Sequence, residues 1–570
     1  MSIFFNGRQW VSPATMSAVD DTKMYGRKPS IGNNLALIGR ANGGQPNTPL
    51  IFGSVNEARG VLRDGDLLRA VERAFDASTE SQGPAYITVV RVNPATRASL
   101  TLKDSVIADS ILLTSTNYGL IDNQIKVKVE AGTNVGLKLT TQFGLAYSTV
   151  DDLALNALSI QYAGVGTGTL AVNNTTATLV LNSVTTEIDL ASFPTVQTLV
   201  DRLNAVTGIS ASVLDGNGEK AALNGLDGFA AADIKTLAVT ITATLQAAVA
   251  WFNGIGEEFV TATRAPAATK VPAAVAFTYL TGGSDGTVSN TEWTSAFTAL
   301  QTSDVQWIVP LSSSSAIHAM ADAHVTFMSN IARQERRAIC GMASGTSDSA
   351  AIVAAKAINS DRTSLTHLGV YDYNSAGSLT LYEPYIAAAM IAAAFAGLNP
   401  GTPLTNKSLK VRGLERKLRN PTDTDSLITG GVLCIEDTPN GYKVVQSVTT
   451  WLTNDNYNRR EMSVGMALDF TMRSVRASLD ELRGAKNNPV TLNLAVERVD
   501  SILRGLSMPE PSGPAVLAGD AANPAYKNIY ASQSGDVLRV EFQCSPVLPV
   551  NYIPVVCFAV PYAGSSTVTA

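Results

Sequence analysis

The stretch Val305–Met342, VQWIVPLSSSSAIHAMADAHVTFMSNIARQERRAICGM, decides the fold. Val305–Pro310 carries the β-branched and aromatic residues of a buried strand. A serine-rich turn then opens a long amphipathic pattern over Ser315–Arg333, and Arg337–Met342 is apolar again. Strand, helix, strand in this order points to a crossover between parallel strands. Downstream the rhythm continues as a helix over Ser347–Asn359 and a strand over Leu365–Tyr373. Upstream it starts with a helix capped by Asn290 and running to Leu300. Near the N-terminus Leu35–Gly39 (LALIG) reads as a strand. A helix from Val55, another over Leu67–Ala77 and the strand Ala85–Val92 (AYITVVRV) follow. Together these stretches predict an α/β core with a mostly parallel sheet.

Between them the texture changes to Thr, Val, Asn and Gly, with alternating runs at Gln124–Glu130 (QIKVKVE) and Ala177–Leu181 and a helix at Thr195–Val206. This predicts an inserted β-rich region of one or two subdomains. The expected organisation is therefore multi-domain: an extended arm at 1–30, core at 31–96, insertion at 97–280, core again at 281–545, and a C-terminal strand and arm at 546–570. Further strands are expected at Gly431–Glu436, Lys443–Leu452, Val537–Gln543 and Tyr552–Val560, with helices at Met462–Arg483 and Leu492–Leu506. The run Ile386–Leu398 (IAAAMIAAAFAGL), opened by Pro384 and closed by Gly397 and Pro400, makes a helix of about 22 Å. The hydrocarbon of a bilayer is about 30 Å thick, so a buried helix is expected.

Charged residues are only 16% of the 570, against roughly 25% in an average soluble domain, which suits a subunit that hides surface against neighbours. With 42 basic and 48 acidic side chains the net charge is −6, which argues against a nucleic-acid partner. Cys340, Cys434, Cys544 and Cys557 lack metal-site spacing and read as reduced, buried thiols. Met1–Trp10 (MSIFFNGRQW) has no signal-peptide pattern, so folding in a cytoplasm is expected.

Chemical motifs are few. Gly282, Ser284 and Gly286 spell the GxSxG of a nucleophile elbow, but Thr287–Asn290 separate the serine from the following helix, which fits a plain turn. His318 and His324 are six residues apart, too far to ligate from one helical face, and read as flanks of an amphipathic helix; His367 is the third histidine. No Gly-Lys dipeptide exists for a Walker loop, and Gly164, Gly166 and Gly168 lack a dinucleotide-binding context. No catalytic, cofactor or metal residue is assigned. A basic cluster, Lys407, Lys410, Arg412, Arg416, Lys417 and Arg419, reads as a solvated face, a phosphate site without stacking aromatics, or a contact for an acidic protein.

Several segments in fixed order resemble the contractile tail sheath family of phages, R-type pyocins and related injection devices. They are ALIGRANGGQPNTPLIFGSVNEA at 36–58, VVRV at 89–92, YGLIDNQIKVKV at 118–129 and LTGGSDG at 280–286. Downstream come Arg337–Gly341, the Ala-rich helix, PLTNK at 403–407, VTT at 448–450, EMSVGMALDFTMR at 461–473 and Pro549–Val556. The resemblance implies a non-enzymatic subunit, stacked as hexameric rings around an inner tail tube, that contracts on a baseplate signal without a nucleotide. Its partners would be itself, the tube, the baseplate and the tail terminator, in a virion tail assembled in the host cytoplasm, with the insertion facing outward. Because both termini are apolar and strand-like, Ile3, Phe4 and Phe5 and Val555, Val556, Phe558 and Val560 are the expected intersubunit strand residues. The basic cluster, with Arg473 and Arg476, is the expected inner-tube contact. The competing readings are an α/β enzyme with a β-rich accessory domain, using the 282–286 motif, and a surface-layer type structural protein.

Overall fold

A computed structural model describes residues 3–5, 8–10, 34–223, 225–562 and 564. Most of the expected N-terminal arm lies outside the described residues. Within it Ile3–Phe5 and Arg8–Trp10 form an antiparallel hairpin, Ile3 opposite Trp10.

The central sheet is built from β1 (Asn34–Gly39), β2 (Pro49–Phe52), β3 (Tyr86–Arg91), β4 (Trp307–Pro310), β5 (Arg337–Gly341) and β6 (Thr363–Thr366). Their spatial order is β6-β5-β4-β1-β3-β2, parallel throughout except for β2, which runs antiparallel at one edge. Helices α1 (Val55–Leu62) and α2 (Asp66–Ala74) connect β2 to β3. Helix α3 (Asn290–Ala299) leads into β4, α4 (Ser315–Asn330) links β4 to β5, and α5 (Asp348–Ile358) links β5 to β6. Successive strand side chains point to opposite faces. Leu35, Leu37, Ile87 and Val89 therefore pack with α2 and α6 (Pro384–Ala396), while Ala36, Ile38, Ile308 and Ala338 pack with α3, α4 and α5. Both faces are dry, which is why these strands read as continuous apolar runs.

Helix α6 is apolar all round because it is enclosed all round, with Phe395 stacked on Trp307 at 4.7 Å. Its first turn lies on the backbone of β5, where a Cβ on Gly341 would fall 2.2 Å from Tyr385 N. Among the described residues no helix is long and apolar enough to cross a membrane.

Residues 99–280 hold two hydrophobic clusters. One lies among the sheets formed by Ser99–Lys103, Asp109–Ser115 and Val260–Arg264 and by Lys126–Ala131, Leu137–Phe143, Ala146–Leu153 and Val275–Tyr279. The other gathers Leu158, Ile160, Leu170, Leu179 and Ile241 around the helix Val196–Asn204. Two small antiparallel sheets flank α6 in sequence: Val370–Tyr373 pairs with Leu379–Tyr382 before it and Gly413–Leu414 after it, and Gly441–Val444 pairs with Ser408–Leu409 and Ile435–Thr438; then come α7 (Met462–Asp480), α8 (Pro489–Ser507) and an antiparallel ribbon of β7 (Tyr526–Ser534) and β8 (Val537–Cys544).

Several expectations need correction. The cap of α3 is Ser289, which with Glu292 forms a reciprocal capping box, and Asn290 is the first helical residue. Leu365–Tyr373 is two strands, Thr363–Thr366 and Val370–Tyr373, in different sheets, because Gly369 N turns away to donate to Glu415 at 2.8 Å. The strands expected at 431–436 and 443–452 occupy Ile435–Thr438 and Gly441–Val444. The chain after Val444 instead runs along the edge of β6, where Thr450 N donates to Thr363 O at 2.9 Å. His318 and His324 are buried rather than flanking, and Cys557 is exposed. Tyr552–Val560 is not a strand: a ladder needs a partner, and its own chain supplies none among the described residues.

Candidate functional site

The C-terminal ribbon packs on α7 and α8 with one face. Leu538, Val540, Phe542 and Cys544 alternate inward toward Phe470, Val499, Leu503 and Leu506, while Arg539, Glu541 and Gln543 point to solvent. Among the described residues neither β7 nor β8 pairs with a third strand, so both edges of the ribbon present unpaired backbone groups.

Beyond the ribbon the chain carries an arm with the complementary defect. Val555, Val556, Phe558 and Val560 are 84%, 73%, 84% and 84% exposed, and Tyr552 and Ile553 are similarly bare. An isolated exposed valine means little, but a contiguous run of large apolar side chains marks an interaction site. One molecule thus holds an exposed apolar segment without a sheet and a sheet without flanking strands. Ile3–Phe5 are paired in their hairpin and with no other strand among the described residues.

The basic residues are mostly matched within the chain. Lys407 lies 3.7 Å from Glu80, Lys410 pairs with Asp76, Arg416 with Asp348, Lys417 with Asp437 at 2.5 Å and Arg419 with Asp423 at 2.8 Å. Arg412 is exposed, its guanidinium 5.8 Å from the ring of Tyr373. Arg476 pairs with Glu335 at 2.5 Å, and Arg473 lies over Phe470. These two arginines border a buried network that sequence reading missed. Arg337 on β5 and Arg362 before β6 meet Asp469 of α7 at 2.8 and 3.2 Å. Only the apolar spacing of EMSVGMALDFTMR, interrupted by an aspartate on the buried face, hinted at it.

The GxSxG motif is a joint between sheet and insertion. Asp285 accepts from Arg91, a fully buried residue at the end of β3, at 2.8 Å. Ser284 Oγ lies 2.9 Å from Thr96 Oγ1, and Asn123 Nδ2 donates to Gly283 O at 2.8 Å. A Cβ on Gly283 would fall 2.6 Å from Gly119 O, and one on Gly286 2.5 Å from Pro94 O, so close backbone approach accounts for these glycines. The histidines lie elsewhere. His318 Nε2 is 2.8 Å from Ser312 O and His367 Nε2 is 2.8 Å from Asp348. His324 meets Arg336 at 2.9 Å, and burial, then that neighbouring charge, pushes it down to about 4. Burial pushes the Cys434 thiol up to about 12. Among the described residues no group of His, Cys, Asp and Glu is placed to hold a metal.

The chain is similar to known proteins over most of its length. A tail sheath protein of Bacillus phage SP01 is 28% identical over 587 residues, covering 99% of this chain and 98% of its own. A protein of Enterococcus phage phiEF24C, provisionally described as a tail sheath protein, is 29% identical, covering 95% and 96%. The crystal structure of a sheath tail protein from Listeria innocua shares the fold, with a TM-score of 0.56, 13% identity and coverage of 90% and 92%. No family model matches the chain.

Proposed function

We propose that this chain, homologous to phage tail sheath proteins over nearly its whole length, builds its sheath by strand exchange between copies. The exposed apolar arm Tyr552–Tyr562 of one subunit adds to a bare edge of the β7–β8 ribbon of another. The observation that carries this reading is the coexistence of those two unsatisfied surfaces in one chain. Main-chain hydrogen bonds of an added strand hold through a change of subunit orientation, because the linker rather than the ladder absorbs the motion. The N-terminal segment Ile3–Phe5 supplies a second connection of the same kind. The lattice is a stack of hexameric rings around an inner tube, assembled in the host cytoplasm, and it shortens when a baseplate signal releases it.

Residues 97–280 form the inserted region and face outward, where added surface obstructs neither ring stacking nor the tube. The core is divided at 31–96 and 281–545 around it. The basic residues from Lys407 to Arg419, with Arg473 and Arg476, contact the tube. The pairing of Lys407, Lys410, Arg416, Lys417 and Arg419 with Glu80, Asp76, Asp348, Asp437 and Asp423 makes their part of that contact an exchange of one acidic partner for another, weak and salt-sensitive as a sliding surface requires.

The test is removal of residues 552–570. The truncated chain is expected to keep the parent's thermal midpoint as a monomer and to form no tubes by electron microscopy. Tubes of normal appearance from the truncated chain would refute strand exchange by the arm.

A further inference from the structure

The arm has a sharply defined root. Ser545 N donates to Ala525 O at 2.8 Å and Val547 N to Val516 O at 3.0 Å. The Val547 side chain lies over Gly401, where a Cβ would come within 2.6 Å of its Cγ1. Four residues later Asn551 uses both ends of its amide. Its Oδ1 accepts from the Thr405 hydroxyl at 3.0 Å and its Nδ2 donates to the Tyr457 hydroxyl at 2.7 Å. Asn551 is half-buried, whereas every residue from Tyr552 to Tyr562 is exposed. The border between held and free chain is one side chain wide.

An apolar strand that leaves a subunit in many directions captures neighbours in many geometries. Contacts at 545–547 do not fix the direction of a strand that starts at 552. Asn551 can, because its partners come from two places: the loop after α6 and the short helix Tyr457–Arg460. Pro549 and Pro554 flank it. Proline fixes φ near −65° and biases the preceding residue toward extended conformations, so a direction set at Asn551 carries outward.

We propose that Asn551 is the pin of the C-terminal arm: a positioning residue, held by Thr405 and Tyr457, that sets where and in which direction Tyr552–Tyr562 leaves to reach a second copy of this chain. The proposal rests on the reading of the arm as an exchanged strand. The titratable groups facing the pin are Glu461 and Tyr457. The neighbouring Arg459 and Arg460 are drawn off by Asp361 at 3.6 Å and Asp455 at 3.2 Å, and Tyr552 stands next to Tyr457.

The experiment uses the full chain with Cys544→Ser, so that a nitroxide attaches to exposed Cys557 while Cys340 and Cys434 stay buried. Asn551→Ala removes both hydrogen bonds, and the double variant Thr405→Val/Tyr457→Phe removes the partners while keeping Asn551. In both variants, dilute and unassembled, the label is expected to tumble faster than in the parent. The concentration needed for tubes should rise roughly tenfold, the equivalent of one lost hydrogen-bonded contact. Parental label motion and parental assembly in both variants would overturn the proposal. Label motion is read before assembly, so it judges the pin by itself. If removal of 552–570 leaves tubes intact, strand exchange fails whatever the label reports; if it abolishes them while both variants behave as parent, the pin alone fails.

Discussion

Glu461 and Asp469 are two buried carboxyls, one at the start of α7 and one within it, that respond to pH in opposite directions. Burial raises Glu461 above its ordinary value of 4.5, and hydrogen bonds from Ser447, Gln446, Asn551 and Ser463 only partly offset it. Burial also acts to raise Asp469, but the Arg337 and Arg362 charges outweigh it and hold that group below its ordinary 3.8. A raised carboxyl binds its proton more tightly when folded, so Glu461 costs stability as pH climbs above about 4.5, and the cost is complete once pH passes the folded value. Asp469 does the reverse: its contribution is present above 3.8 and is lost as pH falls through the folded value. Glu461→Gln removes the first titration. Its thermal midpoint relative to the parent is expected to rise as pH climbs above about 4.5 and to level off once pH passes the folded value of the parent's Glu461, and an offset independent of pH would refute the assignment.

At the scale of elements, Asp469 is the joint between α7 and the central sheet, because its two partners sit on β5 and just before β6. Asp469→Asn takes the charge of Asp469 from the buried Arg337 guanidinium and the partly buried Arg362 guanidinium, and breaking a buried pair typically costs about 3–5 kcal/mol. Guanidinium unfolding should show that loss; one below about 1 kcal/mol would mean that the helix is held by its apolar face alone. The elements themselves were largely legible. Helix α6 could be read because composition and Pro–Gly punctuation agree, and β1, β3, β4 and β5 because strands buried on both faces are apolar without interruption. The joints were not, since Asp469 finds its arginines more than a hundred residues away in sequence, and the Arg91–Asp285 pair spans the whole insertion. β7 was missed because its exposed face and edges give Lys527, Asn528, Ser532 and Gln533 no apolar alternation. The β-branched and aromatic residues of Tyr552–Val560 carry strand propensity, but propensity does not supply a ladder partner, and none is present among the described residues.

At the scale of the whole molecule, a three-layer α/β body carries the two β clusters of residues 99–280, fastened to it through Arg91 and Asp285, and a ribbon on α7 and α8, while residues 552–562 beyond Asn551 are exposed. Few charged residues and a strongly apolar arm leave a surface suited to permanent neighbours, and the relatives that share the full length are tail sheath proteins. The central claim is that copies are joined by arm exchange, and cryo-electron microscopy of tubes assembled from the full-length chain tests it most directly. The account predicts continuous density running from Asn551 out of one subunit and forming a third strand along the β7–β8 ribbon of another. Density that turns back from Asn551 to lie on its own subunit, with the ribbon edges bare in the lattice, would contradict it.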